Sequence, residues 1–169
     1  MRWWFIGSTV GIFLIILGLT MILPLLVSFH YQDGTHGCFI NSIIISIVIG
    51  FFLLLLSKSK ERDGSIINQK EGMVTVALAW TAIGVFGSLP FILSPFFHSF
   101  TDAFFESVSG FTTTGASVMT DIEAASKSIL LWRSLIQWLG GMGIIVLSLA
   151  VLPFLGVSLS GTGLGTSAL

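Results

Sequence analysis

Apolar residues fill four long stretches of this chain, and the polar residues fall almost wholly between them. Charge-free runs occupy positions 3–32, 34–57, 72–101 and 134–169. Each exceeds the roughly 20 apolar residues that a helix needs to cross a bilayer. The pattern predicts helices over about 4–29, 38–56, 72–97 and 129–156. The first run is too long for a signal-peptide core and has no evident small-x-small cleavage site, so it reads as a helix that stays in the membrane. Pro24 leaves room for a kink within it. Pro90, Pro95 and Pro153 stand near helix ends, where proline is tolerated.

The stretch between the third and fourth runs, 98–128, breaks the pattern. It is too long for a tight turn and, in its first half, too apolar for a solvated loop. "SFTDAFFESVSGF" reads as a short helix with Ser99 or Thr101 as N-cap. Asp102 falls in its first turn, at the positive end of the dipole, and Gly110 is expected to end it. About nine helical residues reach only about 13 Å, roughly half of a bilayer core. The uncharged "TTTGAS" follows at 112–117, and then the polar "MTDIEAASK" at 119–127. A half-length helix, an extended strand and a return to the same side outline a re-entrant pore loop.

Composition sharpens this picture. Of 169 residues, 54% are hydrophobic and 9% are charged, against about 25% charged in an ordinary soluble domain. A soluble globular fold is thereby excluded. The net charge of −1 provides no basic face for nucleic acid. The single cysteine, Cys38, makes no internal disulfide and reads as a small, buried apolar residue. Lys58, Lys60, Arg62 and Lys70 gather in the connection at 57–71, whereas "HYQDGTHG" at 30–37 holds Asp-Gly turn chemistry and no Lys or Arg. The positive-inside rule then places the 57–71 loop and both termini in the cytoplasm, with 30–37 and 118–128 outside. Trp3 and Trp4 suit an interfacial belt. Gly7, Gly11 and Gly18 share one face of the first helix, which permits close packing on a neighbour or a dimer face.

Exposed backbone at membrane depth is tolerated where protein buries it or where it lines a water-filled cavity. A cation filter is one such setting, because a ring of carbonyl oxygens can replace an ion's hydration shell. Gly115 allows φ values closed to its β-branched neighbours. The negative end of the preceding helix favours a cation, and threonine hydroxyls are hard oxygen ligands. No thiolate or imidazole cluster suggests a transition metal. A threonine-rich external linker would have the same composition, so the residues alone leave both readings open.

"DAFFESVSGFTTTGAS" followed by "QWLGGMGIIVLSLAVLPFLGV" closely resembles the first pore-forming unit of the Trk/Ktr/HKT superfamily of potassium transporters, over residues 1–157. The Trk branch matches best, because its chains begin with an additional helix pair. The resemblance implies an all-α integral membrane protein with four transmembrane helices, one re-entrant pore helix and a filter loop. It divides the chain into a helix pair with its cytoplasmic loop (1–71), a helix–pore–helix unit (72–157) and a divergent Gly/Ser-rich tail (158–169). In the family, four such units surround a pore, and each supplies one filter strand with a key glycine. Carried over, Thr112, Thr113, Thr114, Gly115 and Ala116 are a quarter of the filter, with Gly115 as the key glycine. The resemblance further implies potassium as the transported ion, possible coupling to sodium or protons, and a place in the bacterial inner membrane. It also implies a homodimer partner and a cytosolic nucleotide-binding regulatory subunit. Only one unit is present and the likeness fades after Val157, so a truncated or frameshifted N-terminal piece, inactive alone, is expected.

The remaining candidates are modest. Glu106 is the carboxylate expected at depth on the pore helix, with Arg133 as its partner and Gln137 a turn further along the same face; a brace for the pore loop is favoured over direct ion binding. His30, His36 and His98 read as interfacial polar groups. "GGMG" at 140–143 permits close approach of another helix or a hinge. The Gly-x-Gly patterns near the C-terminus follow no strand, so no phosphate site and no cofactor are expected. A small non-transporting membrane scaffold is the competing function. An enzyme is disfavoured, because no nucleophile–base pair or metal ligand set is visible.

Overall fold

The computed structural model describes residues 3–58 and 69–151. Seven helices follow in order: α1 (Trp3–Thr20), α2 (Ile22–Tyr31), α3 (His36–Lys58), α4 (Gln69–Gly87), α5 (Leu89–Ile92), α6 (Phe100–Phe111) and α7 (Lys127–Val151). Four candidate membrane spans run over Trp3–Tyr31, His36–Ser57, Glu71–Ile92 and Lys127–Ile145. The expected tail at 158–169, Pro153 and the end of the last helix lie outside the described residues.

Two of the long apolar runs are interrupted, each for a reason written in a proline. Pro24 has no N–H to offer the Thr20 carbonyl, and the first span breaks at Met21. On either side the ladder continues through Met21 N to Leu17 O at 3.3 Å and Leu25 N to Met21 O at 3.2 Å. In the third span the expected helix over 72–97 ends early. Pro90 cannot serve the Phe86 carbonyl, so α4 stops at Gly87 and α5 restarts with Pro90 in its first turn. Pro95 then disfavours helix at Ser94.

The glycines of α1 meet α3 rather than a second copy of the chain. A Cβ at Gly11 would stand 2.7 Å from the Gly50 carbonyl oxygen, and one at Gly50 would stand 2.8 Å from that of Gly11. Gly7 faces Ser57 and Gly18 faces Ile47 in the same seam. α1 also packs on α4, α2 on α7, and α6 lies between α4 and α7. Trp132, Phe39, Phe91, Met21, Ile129 and Ile136 are fully buried. Trp3, Leu26, Phe51, Phe52 and Trp138 are exposed, as apolar residues facing lipid are.

The α2–α3 turn is fastened to the start of α7 through Asp33. Its Oδ1 accepts from Ser28 Oγ (2.6 Å), Thr35 Oγ1 (2.7 Å) and Thr35 N (3.2 Å). Its Oδ2 accepts from Ser128 Oγ (2.6 Å) and Ser128 N (3.2 Å). One carboxylate thereby serves amides at the N-termini of both α3 and α7. Burial pushes this carboxyl up, but the bonds from Ser128, Ser28 and Thr35 outweigh it and hold the group well below the usual carboxylate range.

Candidate functional site

α6 is a helix of 12 residues, about 18 Å long and too short to cross a bilayer. Ser99 is its N-cap and accepts from Thr101 N at 3.1 Å. Its buried face holds Ala103, Glu106, Ser107, Ser109 and Phe111. Ser107 Oγ donates to the Gly84 carbonyl at 2.8 Å, while Trp132 Nε1 of α7 donates to the Gly87 carbonyl at 3.0 Å. The glycines of α4 make room for this contact: a Cβ at Gly87 would lie 2.5 Å from the Phe111 ring.

The end of α6 is carried to depth by Gly140. A Cβ there would sit 2.0 Å from the Phe111 carbonyl oxygen and 2.6 Å from its carbon. Gly140 is thirteen residues beyond Lys127 in α7, or about 20 Å along its axis. The chain then turns back, and by Ser117 and Val118 it lies beside Glu106 again. The loop therefore enters and leaves on the side where α7 begins. Of the "GGMG" glycines, Gly140 is the one in forced contact; Gly141 and Gly143 meet ordinary neighbours at 3.7 and 3.8 Å.

Gly110, expected to end the helix, lies within it. Its missing Cβ admits Ile136, whose Cδ1 would be 2.5 Å away. Termination falls instead on Thr113, which takes φ +58. Thr113 N donates to Gly110 O at 2.9 Å and Thr114 N to Ser109 O at 3.0 Å, the paired bonds of a Schellman cap. Thr112 Oγ1 donates to Val108 O at 2.8 Å and lies 2.8 Å from Thr114 Oγ1. Gly115 follows with φ +74, a conformation readily open to glycine.

The result is an exposed strand with unengaged oxygens. Residues 112–116 are all exposed. Among the described residues, the carbonyls of Thr112, Thr113, Thr114 and Gly115 accept no hydrogen bond, whereas that of Ala116 accepts from Ser109 Oγ at 2.6 Å. Beyond it, Glu106 (3% exposed) holds the returning chain. Its carboxylate accepts from Ser117 Oγ at 3.0 Å, from Val118 N at 3.1 Å and from Arg133 Nε at 2.5 Å. Gln137 does not join this group. Its Nε2 lies 3.8 Å from where a Cβ on Gly115 would be, so it flanks the strand while Arg133 secures its outer end. Cys38 is half-buried and donates to Leu93 O at 3.0 Å, and His30, His36 and His98 are exposed.

Ser109, Trp132, Gly87 and Asp33 entered none of the sequence-based site expectations. The signal for Ser109 in the sequence is a pair of small polar residues, Ser107 and Ser109, on a largely apolar helix. Nothing local ties Asp33 to Ser128.

The TrkH family, a family of cation transport proteins, matches residues 35–165. The Trk system potassium uptake protein TrkH of Salmonella typhimurium is 42% identical over 153 residues, covering 90% of this chain and 31% of that protein. Its namesake in Escherichia coli K12 is 41% identical over the same length and coverage. The crystal structure of the potassium transporter TrkH from Vibrio parahaemolyticus matches with a TM-score of 0.85 at 38% identity, covering 94% of this chain and 33% of that one. The chain thus spans about a third of the length of these relatives. Its all-helical architecture, with four candidate spans, is that of a multi-pass membrane protein. The family match extends over most of the chain and the helices follow the same course, so this chain belongs to the TrkH family of cation transport proteins.

Proposed function

We propose that the chain forms the N-terminal part of a Trk-type potassium uptake transporter of the bacterial inner membrane and contributes one of four filter strands. The observation that carries this is the run of four consecutive carbonyls with no partner among the described residues, on the exposed residues Thr112 to Gly115. Unpaired backbone of this kind needs water or a cation to satisfy it, and a dehydrated monovalent cation is met by carbonyl rings. Thr112, Thr113, Thr114, Gly115 and Ala116 form the strand, and Gly115 supplies its turn. Glu106 and Arg133 brace the returning chain, and Gln137 lies alongside. The helix pair (1–71), the pore unit (72–157) and the tail (158–169) are the working divisions. The remaining units of the pore, a homodimer partner and a cytosolic nucleotide-binding regulatory subunit complete the assembly, with sodium or protons as candidate coupling ions.

A membrane scaffold has no use for half-depth backbone with free oxygens, which is what disfavours the competing reading. The test is Gly115→Asp in a full-length transporter whose first third is this segment. A side chain at φ +74 strains the turn and adds a charge at the strand. Rubidium uptake, normalised to inserted protein, should fall at least about tenfold, as a loss of roughly 1.4 kcal/mol already implies. Uptake equal to the parent's would mean that the strand is only a linker.

A further inference from the structure

Ser109 holds the exposed strand through both its carbonyl and its hydroxyl. Its carbonyl oxygen accepts from Thr114 N at 3.0 Å and Gly115 N at 3.4 Å. Its hydroxyl donates to the Ala116 carbonyl at 2.6 Å. Ser109 is 5% exposed, so this bond is shielded from competing water on the helix side. The neighbouring Ser107 is used differently: its hydroxyl turns to the Gly84 carbonyl and fastens α6 to α4.

We propose that Ser109 is a positioning residue that sets where the ion-coordinating carbonyls end, by drawing the Ala116 oxygen out of the row formed by Thr112 to Gly115. This rests on the filter function proposed above. Beyond the cap that ties Thr112 to Val108 and Thr113 to Gly110, the strand is secured by three further sets of bonds: the Ser109 carbonyl holds 114 and 115, its hydroxyl holds 116, and Glu106 holds 117 and 118. Replacing the hydroxyl removes the middle set and leaves the outer two. The peptide between Ala116 and Ser117 is then free to rotate, because Ala116 is exposed and its side chain contributes no bond. An additional oxygen becomes available to a passing ion, and the row loses its fixed end. Discrimination between monovalent cations depends on the number and field strength of the coordinating carbonyls. Ser109 therefore acts on selectivity more than on the existence of a pathway.

The experiment uses the same full-length transporter and compares rubidium with sodium uptake in Ser109→Ala, Ser109→Thr and Gly115→Asp. The uptake ratio does not depend on how much protein is inserted, so a loss that is merely structural leaves it unmoved. Ser109→Ala should lower the rubidium-to-sodium ratio by about three- to tenfold, the range expected for one hydrogen bond. Ser109→Thr keeps the donor and should keep the ratio. An unchanged ratio in Ser109→Ala, with uptake abolished in Gly115→Asp, would overturn the role of Ser109 and leave the filter standing. Normal uptake in Gly115→Asp would overturn the filter itself. If Ser109→Ala fails to insert, a lowered ratio in Ser109→Thr would also contradict the proposal, since the hydroxyl is present there.

Discussion

Gly140→Ala is the most sharply determined perturbation in this molecule. The added methyl would arrive 2.0 Å from the Phe111 carbonyl oxygen, 2.6 Å from its carbon and 2.8 Å from its Cα. Close C···O contacts ordinarily lie at about 3.3 Å or beyond, so the shortfall is about 1.3 Å. All three atoms are backbone, and no rotamer change relieves them. α6 and α7 must separate, and Ile136 then loses its seat against Gly110. Overpacking of this kind costs about 1–3 kcal/mol, and the rigidity of the contact places Gly140→Ala near the upper end. Helix propensity acts the other way by about 1 kcal/mol in favour of alanine, so a net loss of about 2 kcal/mol is expected. Gly141→Ala is the internal control, because its Cβ meets the Thr113 methyl at an ordinary 3.7 Å. That variant keeps the propensity gain without the clash and should be neutral or stabilising. Thermal unfolding in detergent, followed by size-exclusion of the surviving folded fraction, separates the two. Equal midpoints for Gly140→Ala and Gly141→Ala would refute the proposed packing of α7 on the end of α6.

Asp33 provides a pH-dependent test. Its folded carboxyl is held below its ordinary value near 3.8, so its stabilising contribution is fully present above that value and is lost as pH falls below it. The unfolding midpoint should therefore decline below about pH 4, and Asp33→Asn should flatten that decline while lowering stability at pH 7 by about 2 kcal/mol; an identical acid profile in the variant would contradict the Asp33–Ser128 link. For orientation, Gln32→Cys and Glu123→Cys occupy exposed positions and should react with an impermeant thiol reagent in intact cells, in a Cys38→Ala background, whereas Ser65→Cys should not. Labelling confined to position 65 would reverse the orientation drawn from the positive-inside rule.

Much of the architecture was legible in the sequence because the bilayer imposes a length on each apolar run. The four spans follow from the charge-free stretches and the break at Met21 from Pro24, whereas the helix expected over 72–97 runs past the stop at Gly87 that Pro90 imposes. What each glycine does was less legible. Spacing identifies a face, but it does not name the partner, and the Gly7–Gly11–Gly18 face turns out to meet Gly50 of α3. Gly110 has the local signature of a helix end, yet a contact with Ile136 reserves it for packing. Arg133 and Gln137 share a helical face by arithmetic, and the structure separates them. The returning chain is held at Ser117 and Val118 by Glu106, the partner of Arg133, whereas Gln137 lies beside Gly115. Side chains at successive turns of α7 thus meet different partners, Arg133 the Glu106 carboxylate and Gln137 the strand itself, which no periodicity could distinguish.

Thr113 brings these points together. A β-branched residue at φ +58 is disfavoured by about 1–3 kcal/mol, and glycine would take the position without strain. The surroundings nevertheless determine it closely. The Thr113 and Thr114 amides are tied to Gly110 and Ser109, Thr112 is tied to Val108, and Gly140 seats the Phe111 carbonyl on α7 immediately before the turn. Gly141 leaves an ordinary contact distance around the Thr113 methyl. A glycine at 113 would satisfy the same cap but would admit many other backbone conformations. Threonine admits few, so once the neighbouring bonds have forced it into the left-handed region, the chain has little freedom to leave by a small adjustment. Gly115 takes a left-handed conformation as glycines commonly do, but Gly110 and Gly140 stand where another helix must approach, and Thr113 stands where the helix ends in a left-handed turn. That is the reverse of local preference. It is intelligible if rigidity of the 112–115 carbonyls, rather than ease of forming the turn, is the property that this stretch requires.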